Sequence, residues 1–292
     1  MRAATRGSAL ARWQTSFVLD ALGALDGPGG GSAVVVETTG DRRSDVPIHE
    51  IGGQGVFVKE VQAAVLDGRA DIAVHSAKDL PSGSDSGLVI GAFPARGNPF
   101  DCLVGSTLAA LPAGARVATG SVRRRAQLAW LRPDLTFADL RGNIDTRLAK
   151  AAGFDAVVMA AAALERLGYE DRMAEVLGPD VMLPQVAQGA LAVECRADDA
   201  DTLAALAAID DADTRRAVEA ERSFLAELGG GCDLPVGAYA VATGGGEVSI
   251  TGLVASLDGR SVLRETRSGA DGVALGAEVA RHLLALTPDW TT

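Results

Sequence analysis

Short unbroken apolar runs and helically spaced apolar positions take turns along this chain, with glycine, proline and polar clusters between them. Arg2 to Thr5 reads as a first strand, Arg6-Gly7-Ser8 as a turn, and Ala9 onward as an amphipathic helix through Phe17, Val18 and Leu22. Ala33–Thr38 is a strand and Val56–Leu66 an amphipathic helix that Gly68 ends. The run Ile72-Ala73-Val74 fits a buried strand, and it stops abruptly at His75-Ser76-Ala77-Lys78-Asp79-Leu80-Pro81. Leu88–Phe93 is a further strand. Ala95–Phe100 then breaks both periodicities and reads as a crossover between domains.

The same plan then recurs. Arg116–Thr119 is a strand, Gly120-Ser121 a turn, and Val122–Leu131 a helix with arginines on its first turn. Thr136–Leu140 leads to Arg141-Gly142-Asn143 and a helix over Ile144–Ala151. Gly153-Phe154-Asp155-Ala156-Val157-Val158-Met159-Ala160 echoes Gly68-Arg69-Ala70-Asp71-Ile72-Ala73-Val74-His75-Ser76, and the helix Ala161–Leu167 follows it. Leu183–Cys195 reads as a return crossover running into a strand, and a helix with an acidic linker fills Asp198–Asp213. The last part differs: a long helix over Thr214–Leu228, strands around Val236–Ala242, Glu247–Val254 and Ser261–Arg267, and a closing helix Ala274–Leu286. Two similar α/β halves predict two lobes with a cleft between them, followed by a small antiparallel α+β domain.

Composition narrows the function. At 292 residues two or three domains are expected. No segment approaches the roughly 20 uninterrupted apolar residues of a membrane span, and the N-terminal stretch has no apolar secretion signal, so a cytoplasmic location is expected. A net charge of −11 argues against nonspecific nucleic-acid binding. The basic residues are 24 Arg and only three Lys, a bias toward the planar fork that grips carboxylates and phosphates. An arginine-rich, alanine-rich genome would produce the same total, so position carries more information than number. Neither the three cysteines nor the three scattered histidines match a metal site, and no metal is expected.

Arg6, Arg123, Arg124, Arg141, Arg147 and Arg166 all fall on loops or first helical turns just past expected strands, the ends that face the ligand crevice in open α/β sheets. Ser8 and Ser121 stand at helix N-caps beside them. Arg123 and Arg124 oppose the dipole of their own helix, a conflict that an anion would resolve. Such a cleft predicts a small polycarboxylate ligand, with Asp79 the lone acid among the arginines and suited to stabilise a developing cation. Cys232 follows three glycines and precedes Asp-Leu-Pro, an open loop suited to attachment or nucleophilic chemistry, whereas Cys102 and Cys195 fit buried structural positions.

Over essentially its whole length the sequence resembles the porphobilinogen deaminase (hydroxymethylbilane synthase) family. The resemblance is carried by Ala4-Thr5-Arg6-Gly7-Ser8-Ala9-Leu10-Ala11, Phe57-Val58-Lys59-Glu60, Asp71 through Pro81, and Ser121-Val122-Arg123-Arg124. It continues through Leu140-Arg141-Gly142-Asn143, Thr146-Arg147-Leu148, Gln188-Gly189-Ala190, Glu194-Cys195-Arg196 and Gly230-Gly231-Cys232. It implies two periplasmic-binding-protein-like α/β lobes plus a C-terminal domain with a three-stranded antiparallel sheet. The expected divisions are 1–94 with 190–207, 100–183, and 212–292.

The implied activity is that of a transferase. Four porphobilinogen molecules are condensed head to tail, with loss of ammonia, into linear hydroxymethylbilane for haem biosynthesis. A dipyrromethane cofactor, assembled from substrate, is held by a thioether to Cys232. Asp79 contacts the pyrrole nitrogens, stabilises the cationic azafulvene formed as ammonia leaves, and is the expected proton donor to the leaving amine. Lys78, Ser76, Ser121, Arg123, Arg124 and Gln188 are implied at the cofactor; Arg6, Ser8, Gln14, Phe57, Arg141, Arg147 and Arg166 at the substrate, with Phe57 covering or stacking on a ring. A monomer is expected. The chain departs from the family at Glu50 and Gln54, where lysines are common, at Gly120, where a hydroxyl is usual, and at Gly229, where an acid often stands. The competing readings are a two-lobed solute-binding protein for a polycarboxylate and, more weakly, a nucleic-acid binder using Arg123-Arg124-Arg125, which lacks aromatic interleaving.

Overall fold

The structure, a computed structural model, describes residues 1–26, 31–38, 55, 57–81, 83, 87–230, 234–287 and 290. In chain order its strands and helices begin with β1 (Arg2–Arg6), α1 (Ala9–Asp26), β2 (Ser32–Val36), α2 (Lys59–Leu66), β3 (Ile72–Ser76), β4 (Leu88–Ala92) and β5 (Asp101–Val104). There follow β6 (Arg116–Ala118), α3 (Val122–Leu131), β7 (Thr136–Ala138), α4 (Ile144–Lys150), β8 (Ala156–Ala160), α5 (Ala161–Glu165) and β9 (Met173–Leu177). The chain ends with β10 (Leu191–Arg196), α6 (Ala200–Ala207), α7 (Ala212–Glu227), β11 (Val236–Gly244), β12 (Glu247–Ala255), β13 (Val262–Gly269) and α8 (Gly272–Leu286). These elements form two compact units, Met1–Gly97 with Ala190–Arg215, and Asn98–Gly189 with Arg216–Thr292.

The first unit holds a five-stranded sheet in the order β2-β1-β3-β10-β4. β1 runs parallel to β2 and β3, whereas β10 is antiparallel to both β3 and β4. β3 is buried along its first four residues; the first three, Ile72-Ala73-Val74, form an apolar run with no alternation, as expected of a strand buried on both faces, and the fourth is His75. Ala3, Ile72, Val74, Leu191 and Val193 pack with Val18 and Leu22 of α1 on one face. On the other, Ala4 and Ala73 pack with Val61, Ala64 and Val65 of α2. Gly68, at φ +71°, takes the left-handed conformation that ends α2.

The second unit contains a sheet of the same plan, β7-β6-β8-β5-β9. β6, β7 and β8 are parallel, and β5 is antiparallel to β8 and β9. The internal echo seen in the sequence is thus a repeated topology, with β5 in the place that β10 fills in the first sheet. The same unit carries the antiparallel sheet β11-β12-β13, covered by α7 and α8, whose backbones approach so closely that a Cβ on Gly276 would lie 2.1 Å from the Ala220 carbonyl oxygen. Leu253 and Ala255 of β12 pack against Ala126 of α3 and Leu183.

Two strands lie outside the sequence reading. β5 is only four residues long and follows directly on the crossover, and β9 alternates exposed and half-buried positions at a sheet edge. α5 is shorter than expected and ends at Glu165, which leaves Arg166 at its C-cap.

Candidate active site

In the first unit the expected residues collect at the carboxyl ends of β1 and β3, neighbouring parallel strands. Arg6 closes β1. Its guanidinium lies 4.0 Å from the centre of the Phe57 ring, a cation–π contact that places Phe57 against the strand end. Ser8 accepts a hydrogen bond from the Ala11 amide at 3.2 Å at the start of α1. Gln14, buried on α1, donates to the Ser76 hydroxyl at 2.8 Å and so ties the helix to the end of β3. Immediately after Ser76, residues Ala77–Asp79 form one turn of 3-10 helix, pinned by the Ala77 amide donating to the Ala190 carbonyl at 3.0 Å. Lys78 and Asp79 are half-buried on this turn.

Behind the turn lies a buried polar group that sequence reasoning did not find. His75 Nε2 sits 3.1 Å from Glu194 Oε2, and the Gln62 amide donates to both Glu194 oxygens at 3.1 and 3.0 Å. The three side chains come from β3, β10 and α2 and are almost wholly buried. Glu194 and His75 stand in apolar runs, so an acid and an imidazole among alanines and valines was the available signal.

In the second unit the three parallel strands β7, β6 and β8 deliver the other group. Ser121, just past β6, caps α3 by accepting from the Arg124 amide at 3.4 Å. Past β7, Asn143 caps α4, and Arg147 Nε donates to the Gly142 carbonyl at 2.7 Å; Arg141 lies on this loop. Gly142 has φ +116°, and a Cβ there would lie 2.6 Å from the Thr146 side chain, so only glycine fits comfortably. Past β8 and α5, Arg166 donates to the Gly189 carbonyl at 2.6 Å, and burial pushes its guanidinium down to about 10.

Arg123 and Arg124 are buried, and the anion expected to offset them at the helix start is supplied from within the chain by Asp101. This corrects the expectation that Asp79 is the lone acid among the arginines. Asp101 opens β5, an unrecognised strand, and its side chain faces the first turn of α3. Burial alone would raise its carboxyl, but the adjacent charges of Arg123 and Arg124 and their hydrogen bonds outweigh that and hold it far below the usual range. Burial in turn lowers Arg123, against the opposing pull of Asp101. Gln188 belongs to the same cluster, donating to Asp101 at 3.0 Å and to the Pro99 carbonyl at 2.8 Å. The residue before it, Ala187, has φ +60°, a conformation uncommon outside glycine, and its amide donates to the buried Glu221 at 2.6 Å.

Cys232 lies outside the described residues, as do Glu50 and Gln54. Cys102 and Cys195 are buried, as read from the sequence, and both are free; burial pushes their thiols up to about 12 and about 11. Gly229, at φ +82°, occupies a conformation that favours glycine over the acid common there. Among the described residues no group of His, Cys, Asp and Glu side chains is arranged to hold a metal ion, and no helix is long and apolar enough to cross a membrane.

A family model described as "Porphobilinogen deaminase, dipyromethane cofactor binding domain" matches residues 1–204, and one described as "Porphobilinogen deaminase, C-terminal domain" matches residues 215–285. The chain belongs to the porphobilinogen deaminase family. Among its relatives, the porphobilinogen deaminase of Brevibacillus brevis is 48% identical over 286 residues, covering 96% of this chain and 93% of that protein. That of a Roseiflexus species is 50% identical over 287 residues, 96% and 94% of the two chains. That of Syntrophotalea carbinolica is 46% identical over 299 residues, 99% and 94%. Solved structures that align with the chain include the VFT2 domain of Bordetella pertussis BvgS, at 19% identity and a TM-score of 0.41 over 76% of this chain and 91% of that one. A YaeC-family lipoprotein of Enterococcus faecalis aligns at 15% identity and a TM-score of 0.40, over 73% and 91%. Membership of the porphobilinogen deaminase family makes the chain a transferase of porphyrin and haem biosynthesis that uses a dipyrromethane cofactor.

Proposed function

We propose that this porphobilinogen deaminase carries its dipyrromethane on Cys232 through a thioether and uses Asp79 as its catalytic carboxylate. The reaction is the stepwise head-to-tail condensation of four porphobilinogen molecules, with loss of ammonia, into linear hydroxymethylbilane. The observation that carries the reading is the placement of Ser121, Arg123, Arg124, Arg141, Arg147 and Arg166 on the segments that follow three adjacent parallel strands, β7, β6 and β8. The donor set fits the cofactor. Burial lowers the Arg123 and Arg166 guanidiniums from their ordinary value, and the acetate and propionate groups of pyrrole rings would supply negative charge that favours the charged forms. When bound, the cofactor supplies the nucleophilic α-carbon of its terminal ring.

The chain's own residues then have separable tasks. Ser121, Arg123, Arg124, Gln188, Ser76 and Lys78 bind the cofactor. Arg6, Ser8, Gln14, Arg141, Arg147 and Arg166 bind substrate carboxylates, and Phe57 covers a ring. Asp79, held on the 3-10 turn that follows β3, would contact the pyrrole nitrogens of the bound group, stabilise positive charge as the amine leaves, and donate the proton to that amine. Three separate sheets support a division into 1–94 with 190–207, 100–183 and 212–292, the last carrying Cys232. Two buried, unpaired thiols support a reducing, cytoplasmic setting, and we propose a monomer.

Intact-mass measurement of the denatured protein and of a Cys232→Ser variant tests the reading. An excess equal to two linked pyrrole units on the wild type alone is expected. A wild-type chain that stays bare after incubation with porphobilinogen overturns it.

A further inference from the structure

Asp101 has no part in the assignments above, yet its side chain is wholly buried, where a carboxylate is costly unless it is fully matched. The match is close. Its Oδ1 accepts from Nε and Nη2 of Arg124 at 3.0 and 2.7 Å and from the Gln188 amide at 3.0 Å. Its Oδ2 lies 2.8 Å from Nη1 of Arg123. Both guanidiniums are also gripped by main-chain carbonyls. Arg124 Nη1 donates to Val158 at 3.1 Å, and Arg123 Nη1 to Leu183 at 2.6 Å, where Gln127 binds the same carbonyl at 3.0 Å. Four segments are thereby tied together around one carboxylate and its two guanidiniums: β5, the first turn of α3, the middle of β8 and the loop before β10.

Charge counting gives this geometry a purpose. Two adjacent guanidiniums repel, and beside Arg124 the charged form of buried Arg123 is disfavoured. One carboxylate between them removes that repulsion and leaves a single positive charge over. A cluster built only for stability would be neutral, because an uncompensated buried charge is expensive. An excess of one charge at a helix start, where the dipole adds to it, suits an anion that arrives later.

We propose that Asp101 is a positioning residue for cofactor binding: it clamps Arg123 and Arg124 side by side and sets the cluster's surplus charge to receive one carboxylate of the dipyrromethane. The inference rests on the assignment of Arg123 and Arg124 to the cofactor.

The test uses full-length protein made in a host that forms no porphobilinogen, as wild type, Asp101→Asn and Asp101→Glu. Melting temperature is measured first without cofactor. Porphobilinogen is then added well below every melting point, and the rate of gain of two pyrrole units is followed by intact mass. Asp101→Asn keeps the shape and loses the charge, and is expected to load about 10- to 100-fold more slowly, as for a misplaced binding group. Asp101→Glu keeps the charge and shifts it by one methylene, and is expected to fall in between. A role in stability alone lowers the melting temperature and leaves the loading rate of folded protein unchanged; a folded Asp101→Asn that loads at the wild-type rate overturns the proposal. Should Asp101→Asn not fold, Asp101→Glu decides, and wild-type loading by it is the refuting result. A wild type that never gains mass overturns instead the cofactor assignment on which the proposal rests.

Discussion

Replacing Glu194 by Leu should cost far more than replacing Glu194, His75 and Gln62 by Leu together. The single change keeps the buried volume close to constant but strands two polar groups in the first unit: the Gln62 amide, which now donates to both Glu194 oxygens, and His75 Nε2, which faces one of them. Each orphaned buried partner costs about 1–3 kcal/mol, so Glu194→Leu is expected to lose about 2–6 kcal/mol. The triple variant buries three aliphatic side chains of similar size between β3, β10 and α2 and leaves none of those groups behind. Replacing a whole buried ionic group in this way is close to neutral or stabilising, so its loss should stay under about 1.5 kcal/mol. Urea unfolding followed by circular dichroism measures both, with the midpoints compared at unchanged slope. A triple variant as unstable as the single one would refute the reasoning, because the network would then contribute attraction rather than merely satisfy buried groups. The result bears on function through β3, which runs from this network directly into Ser76 and the turn that carries Asp79.

Three further outcomes are expected. Gly142→Ala forces a side chain into φ +116° and to within 2.6 Å of Thr146; it should cost about 1–3 kcal/mol and raise the KM for porphobilinogen by displacing Arg141 and Arg147, which steady-state kinetics would show. Arg2 hydrogen-bonds Asp71 and holds its carboxyl below the usual value. A depressed folded pKa means the contribution is present above the unfolded value and lost as pH falls through the folded one. For this largely exposed, solvent-screened pair the contribution is small, so the melting-temperature gap between wild type and Asp71→Asn should be widest at neutral pH and close below about pH 4. Cys102 and Cys195, buried with thiols pushed up to about 12 and about 11, should resist iodoacetamide until the chain is unfolded, as read by peptide mapping.

Much of the architecture was legible because its causes are local. The apolar run Ile72-Ala73-Val74, the cap signals at Ser121 and Asn143, and the left-handed glycines at the end of α2 and in Arg141-Gly142-Asn143 all act within a few residues, so the helices and most strands fell where periodicity placed them. The positions of Arg6, Arg141 and Arg147 past strand ends were visible for the same reason. β5 and β9 were not, since a four-residue strand and an edge strand acquire their identity from the strands they pair with.

By itself, the sequence determined the repeated α/β plan, the arginine-bearing strand ends, the buried state of Cys102 and Cys195, and the family resemblance, because each rests on residue type and spacing. Tertiary structure alone decided which charges meet. Asp101 lies 22 residues before Arg123 in the chain, and Glu194 lies far from both His75 and Gln62, so neither pairing has a local signature. Only sheet pairing brings β5 beside β8 and β10 beside β3, and only burial turns those contacts from weak surface ion pairs into strong constraints on where a guanidinium or an imidazole can sit.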